Sequence, residues 1–290
     1  EDGIRDFCLS RGLGDVYKRQ IFQLLFISAS FAKVDEVVDR FYSSLESFLE
    51  ENFENTDFSI KKIETIKPEI GIQTFKIFSE DSSDLSFFQG SLFLHDSDRE
   101  TFNVGLGQRY LSNDESILFG LNAFYDFEFD YEHQRFSIGA EIKSSILDLN
   151  YNQYFAESSS KKGKDSKNEE AIDGYDDEIG AHLPYIPSMK AYLKAFDFEV
   201  PNGKDFQGLE FSTQFKVPNS GLSFEIGHTD YDHHNDQSFI NLKYSNSIKN
   251  PGTSLFSSEA FERISMKDRM SVSYTHLRAH ETGSKGVCRL

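Results

Sequence analysis

The sequence predicts an all-β protein: a closed antiparallel transmembrane β-barrel of about twelve strands, with a short amphipathic helix before it. Three observations carry this. From Phe58 to Tyr244 the apolar residues recur with a period of two. The alternating runs are about 9–11 residues long, the length a tilted strand needs to cross a bilayer. The connections between them alternate in length, short at one end and longer at the other, which is the parity of membrane barrels.

The N-terminal segments come first. Of three Met residues the first is Met189, so the chain is expected to be a fragment. Residues 1–20 and 271–290 resemble non-native adapter sequence and are set aside from the fold reading. Residues 21–32, IFQLLFISASFA, read as the remnant of a signal peptide, with Ser30 and Ala32 placed as small cleavage-site residues. Residues 33–56 hold the amphipathic helix. There Val34, Val37, Val38, Phe41, Leu45, Phe48 and Leu49 make one apolar stripe over 34–51.

The barrel is expected over 57–245, with strands at 58–66, 70–79, 85–95, 100–111, 116–129, 134–144, 147–157, 173–184, 189–199, 205–217, 221–231 and 237–245. One face of these strands is nearly pure in apolar residues and is expected to face lipid. It includes Phe102, Val104, Leu106, Phe119, Leu121, Phe136, Ile138, Leu209, Phe211, Phe215, Leu222, Phe224 and Ile226. Aromatics near strand ends (Tyr110, Tyr125, Phe129, Tyr185, Tyr231 and Tyr244) fit interfacial girdles. The alternate positions are polar and are expected to line the lumen: Arg109, Asp126, Glu128, Glu141, Lys143, Glu178, His182, Glu210, Lys216, Glu225 and Lys243. The turns at 112–115, 145–146, 185–188 and 218–220 are short. The connection Ser158–Ile172 is long, polar and without pattern. Residues 246–270 form a lumen linker or tail, in which Glu259, Glu262, Arg263, Lys267 and Arg269 are the polar candidates for filling the pore.

Composition narrows the function. The 290 residues carry 30 Lys and Arg against 48 Asp and Glu, a net charge of −18. Such a chain is a poor partner for nucleic acid, which needs a basic face. The two cysteines, Cys8 and Cys288, lie at the extreme ends, so no disulfide framework is expected. His228, Asp230, His233 and His234 are a dense ligand-like group, but they fall on an outside loop where polar residues belong anyway, and they are weak metal candidates. His95-Asp96-Ser97 has a phospholipase-like spacing at a hairpin tip rather than on a strand face. Neither a cofactor nor catalysis is expected.

Five segments in register with the strands carry a family resemblance. GLGQRY (105–110), GLNAFYDFEFD (120–130), HQRFSIGAE (133–141), LNYNQYF (149–155) and GYDDEIGAHLPYIP (174–187) resemble the β-domain of inverse autotransporters, the intimin–invasin group. The resemblance implies an outer-membrane translocator that anchors and displays a C-terminal adhesin passenger, absent here, with the chain after the last strand passing back through the pore. It implies outer-membrane lipid, the barrel-assembly machinery, periplasmic chaperones and the chain's own linker or passenger as partners. Ile240–Tyr244 resembles a terminal-strand assembly signal. Two other functions fit the residues: a stand-alone outer-membrane channel, and a soluble secreted β-sheet binding protein.

Overall fold

A computed structural model describes residues 55–64, 67–95, 99–162, 168–200, 204–218, 220–245 and 254–274. The signal-like segment 21–32 and the helix expected over 34–51 lie outside the described residues. The chain forms β1 (Thr56–Ile63), β2 (Glu69–Glu80), β3 (Asp84–His95), β4 (Arg99–Leu111), β5 (Ile117–Glu128), β6 (Gln134–Ser144) and β7 (Leu147–Ala156). A two-stranded hairpin follows, β8 (Lys161–Lys162) and β9 (Asn168–Glu169). Then come β10 (Gly174–Leu183), β11 (Ile186–Phe198), β12 (Phe206–Lys216), β13 (Leu222–Tyr231) and β14 (Gln237–Ser245).

All strands but β8 and β9 close into one barrel, in the order β1-β14-β13-β12-β11-β10-β7-β6-β5-β4-β3-β2. Closure is antiparallel between first and last strands, with Asp57 opposite Ser245, Ile60 opposite Leu242 and Ile63 opposite Phe239. Antiparallel pairing all the way round requires an even number of strands. The twelve apolar/polar runs supply it, so no edge is left with unpaired N–H and C=O groups.

The tight turns lie at the end of the barrel where β1 begins and β14 finishes, here the turn end. The turn between β4 and β5 is built by its own polar side chains. The Asp114 carboxylate accepts from the hydroxyls of Ser112 and Ser116, both at 2.8 Å, and the Ser112 hydroxyl accepts from the Ile117 N–H at 3.0 Å. Those bonds, Ser116 first, hold the Asp114 carboxyl down to about 2. The turn between β10 and β11 is tighter than the sequence suggests. β11 starts at Ile186, leaving Pro184 and Tyr185, and Tyr185 takes a left-handed φ of 64°. Two main-chain bonds hold that residue: its N–H donates to Ala260 O and its carbonyl accepts from Ser257 N–H. The long connection 158–172 contributes structure at its described residues. It pairs Lys161 with Glu169 in the small hairpin and then buries Ala171 and Ile172.

Strand alternation sorts the side chains into two environments. Leu106, Leu121, Phe211, Ile226 and Ile240 stand on the outside, each more than half exposed (56, 62, 58, 61 and 59%). Inside, two apolar clusters form. Near the turn end Phe75, Leu85, Phe87, Leu111, Leu118 and Phe124 pack with Met266, Met270 and Tyr274 of the tail. Near the opposite, loop end, Tyr154, Phe196, Phe198 and Phe206 pack with Ile172 of the long connection. Tyr231, expected in an outer girdle, joins this second cluster, with ring centroids 5.0 Å from Phe206 and 5.7 Å from Phe196. Its position shares the face of Ser223 and Thr229 on β13, opposite to Ile226, so alternation turns it inward.

The closure register gives a direct test. In a chain with Cys8 and Cys288 changed to Ser, Ile60→Cys and Leu242→Cys are expected to cross-link on mild oxidation. Ile60→Cys with Asn241→Cys is expected not to, because a one-residue slip puts the two thiols on opposite faces. Non-reducing electrophoresis and peptide mass analysis read the result.

Candidate functional site: the barrel interior and the tail inside it

Closing the barrel forces every second side chain into a confined interior, where charge must be paired. At the turn end this produces a compact network. Arg109 of β4 is fully buried. Its Nε donates to Glu141 Oε1 of β6 at 2.5 Å, and Lys143 Nζ lies 2.5 Å from Glu141 Oε2. The guanidinium lies over the rings of Phe87 (4.9 Å) and Phe75 (5.5 Å). A planar, permanently charged fork suits this place better than an ammonium, because it stacks and donates at once. Gly120 on β5 makes the room: a Cβ there would sit 2.5 Å from Glu141 Cγ. Next to this network Asp148 of β7 accepts from Lys190 of β11 at 2.5 Å and from Arg269 of the tail at 2.6 and 2.8 Å.

Toward the loop end Arg135 of β6 binds Asp126 of β5 at 3.0 Å and lies 4.2 Å over the Tyr154 ring. The Asn103 amide donates to the same Asp126. Asp176 accepts from the Tyr154 hydroxyl (2.6 Å) and the Asn152 amide (3.0 Å). Arg99 joins Glu128 (3.3 Å) to Glu169 of β9, tying the long connection to the barrel wall. His95 pairs with Glu69 at 2.8 Å. On the β10–β13 wall Lys194 lies between Glu178 (3.3 Å) and Glu210 (3.8 Å), and Glu225 accepts from Ser212 at 2.7 Å. Across the β1–β14 seam Lys243 meets Asp57 at 2.7 Å.

Of the eleven polar residues nominated from sequence, the structure brings Arg109, Glu141 and Lys143 into one network. It gives Asp126, Glu128, Glu178, Glu210, Glu225 and Lys243 inner partners. His182 is half-buried, beside Ser145 and the tail residues Ser257 and Phe261, and Lys216 is exposed. Several partners were not nominated: Arg99, Arg135, Asp148, Lys190, Lys194 and Gln89. The same alternation places all of them on the inner face, so the signal was present.

Of the apolar set, Phe102, Leu106, Phe119, Leu121, Ile138, Leu209, Phe211, Leu222, Phe224 and Ile226 are exposed, while Val104, Phe136 and Phe215 are half-buried. The four metal candidates are not brought together. His228 Nδ1 bonds to the Ser238 hydroxyl at 3.1 Å, and the His234 ring packs edge-on against Phe206. Among the described residues no group of three or more His, Cys, Asp or Glu side chains is placed to hold a metal.

The interior is not empty. The tail runs along the turns at the turn end and then enters the lumen. Ser188 Oγ donates to Leu255 O (3.4 Å), Ile264 N–H to Ser145 Oγ (3.0 Å) and Met266 N–H to Glu115 O (2.9 Å). A single 3-10 turn, Met266–Arg269, follows, with the Ser265 hydroxyl accepting from Lys267 N–H at its start. Beyond it Arg109 Nη1 donates to two tail carbonyls, Met270 O (2.6 Å) and Val272 O (2.5 Å). Deeper in, the Gln89 amide makes a two-way bond with the Tyr274 main chain (2.7 and 3.0 Å), and the Tyr274 hydroxyl donates to Asn152 at 2.9 Å. The packed segment thus runs four residues past Met270, to Tyr274.

The residues that fill the space differ from the charged ones expected. Met266, Met270 and Tyr274 are buried, and among the five nominated charges Arg269 makes a half-buried ion pair with Asp148. Arg263 lies 3.7 Å from the exposed Asp114, and Glu259 and Lys267 are exposed. What this geometry does chemically is bind a polypeptide inside the barrel.

The comparisons agree with the geometry. Residues 28–274 match the family model "Inverse autotransporter, beta-domain". The attaching and effacing protein homolog of Escherichia coli (strain K12) is 32% identical over 113 residues, which are 38% of this chain and 38% of that protein. Invasin of Yersinia enterocolitica is 30% identical over 116 residues, 39% of this chain and 14% of that protein. Both alignments thus span well under half of the relatives' lengths. A chain solved in work on the in-meso crystallization of membrane proteins has the same fold, with a TM-score of 0.62 at 18% identity, over 70% of this chain and 88% of the other. A barrel closed on itself, apolar outside and polar inside, and matched over most of its length by one family, belongs to the inverse autotransporter β-domains and resides in the bacterial outer membrane.

Proposed function

We propose that this barrel anchors and exports a C-terminal adhesin passenger, with the chain leading to that passenger held in the lumen. One observation carries the reading: residues 255–265 run along the turn end of the barrel, and residues 266–274 follow inside it, bound by Arg109, Asp148 and Gln89. A chain that leaves the last strand and turns back into the pore is on a path through the barrel rather than away from it. The names of the relatives, an attaching protein homolog and an invasin, support attachment as the passenger's task. Anchoring, not catalysis, is the role that this interior serves.

The exposed apolar band formed by Leu106, Leu121, Phe211 and Ile226 is the lipid-contact surface in this reading, and the paired charges line the aqueous side. It also argues against a soluble binding protein, since side chains this exposed would leave a continuous apolar belt in water.

Two outcomes are expected. An epitope-tagged folded domain joined after Tyr274, expressed in a Gram-negative host, should be stained by antibody on intact cells and shaved off by external protease. Staining only after lysis would count against export. Separately, Phe211→Arg should destabilise the barrel in lipid by about 2–4 kcal/mol if Phe211 lies near the bilayer midplane. Urea titration of the refolded barrel measures it, and a change below about 0.5 kcal/mol would show that Phe211 does not meet hydrocarbon.

A further inference from the structure

We propose that the turn end of the lumen is a stop socket for one segment of this chain, Ser265–Val272, and that Arg109 is the residue that positions it. The inference rests on the proposed holding of the tail in the lumen and adds where, and by what, the chain is arrested. Three features of different chemistry meet on this short segment. Met266 and Met270, four residues apart, enter the cluster of Phe75, Leu85, Phe87, Leu111, Leu118 and Phe124 and are almost wholly buried. Arg269, between them in sequence, pairs with Asp148 on the β7 wall. Just past the turn, the carbonyls of Met270 and Val272 are both taken by Arg109.

The three features fix a register. A chain sliding through the pore by one residue would carry Arg269 or Ser271 toward the aromatic cluster, pull the guanidinium away from Asp148, and leave Arg109 without its carbonyls. Each misfit buries a polar group without a partner. Main-chain contacts earlier in the tail, at Leu255 and Ile264, ask nothing of the tail's side chains, while Tyr274 beyond the segment adds a ring and hydroxyl contact of its own. A passing polypeptide of any sequence can make the earlier bonds; only a segment with apolar side chains four apart around an arginine satisfies the socket. Arg109 is held from the wall side by Glu141 and the Phe87 face, independently of its bonds to the tail. It acts as a fixed donor, so seating the segment costs little reordering of the wall.

The test uses the full chain in lipid vesicles, with Cys8 and Cys288 changed to Ser and a single reporter, Ser271→Cys, at a buried tail position. The rate of labelling by a membrane-impermeant maleimide is measured, while heat-modifiable migration confirms that the barrel is closed. The parent is expected to label at least about tenfold more slowly than a free peptide thiol. Arg109→Ala should remove most of that protection without opening the barrel, and Arg109→Lys should fall between. Met266→Glu, on the tail and outside the wall, should also unseat the segment, and it decides the question if Arg109→Ala does not fold. Protection that survives both Arg109→Ala and Met266→Glu would overturn the socket and leave the lumen-holding reading intact. A parent that labels as fast as free thiol would overturn both.

Discussion

Everything in this structure depends on one constraint: in hydrocarbon, a backbone N–H or C=O has no water to bond to. The chain satisfies that demand by pairing β1 with β14, after which every barrel strand has two neighbours. Closure settles the rest in turn. Antiparallel pairing needs an even number of strands, and a closed wall divides the side chains into an outer and an inner set. The outer set can be apolar because it meets lipid, and the inner set must then carry the polarity. The Phe-rich, tryptophan-free composition of the chain is thus distributed by geometry between the two faces of the wall.

The interior then has its own problem. Paired strands bring ionisable groups close together with little room for water, and single charges there would be costly. The chain answers with alternating signs: Arg109 with Glu141 and Lys143, Asp148 with Lys190 and Arg269, Arg135 with Asp126, and Arg99 with Glu128 and Glu169. Two of these networks reach beyond the wall. Arg269 brings in the tail, and Glu169 brings in the connection between β7 and β10. The lumen therefore binds pieces of its own chain from both ends, with an apolar cluster beside each charged network. That combination suits a pore that grips a polypeptide.

Much of this was legible in the sequence, and the limits follow from physics. Strand alternation is a period-two signal, so the strand count, the outer face around Phe119, Leu121 and Phe211, and the inner placement of Arg109 and Glu141 could be read directly. Turn chemistry was readable where side chains build the turn, as at Asp114. The tail was different. Twenty residues without a period hide which side chains pack, so charged residues such as Glu259 and Lys267 drew attention while Met266 and Met270 did the filling. Tyr231 departs from its expected place because an aromatic near a strand end fits either a girdle or an inner cluster, and only its parity decides. The β8–β9 hairpin was missed because two-residue strands carry no alternation at all. Alternation places Gln89 on the inner face, but its task is not legible there, because that exists only when the Tyr274 main chain is opposite.

The most direct test of the account is electrical. The whole chain and a chain ending at Ser245 would be compared as single channels in planar bilayers. If the tail fills the lumen, the whole chain should conduct weakly and the shortened barrel should show a stable conductance several times larger. Equal conductance in the two would mean that the tail does not occupy the pore, and the account of this barrel as a holder of its own exported chain would fail.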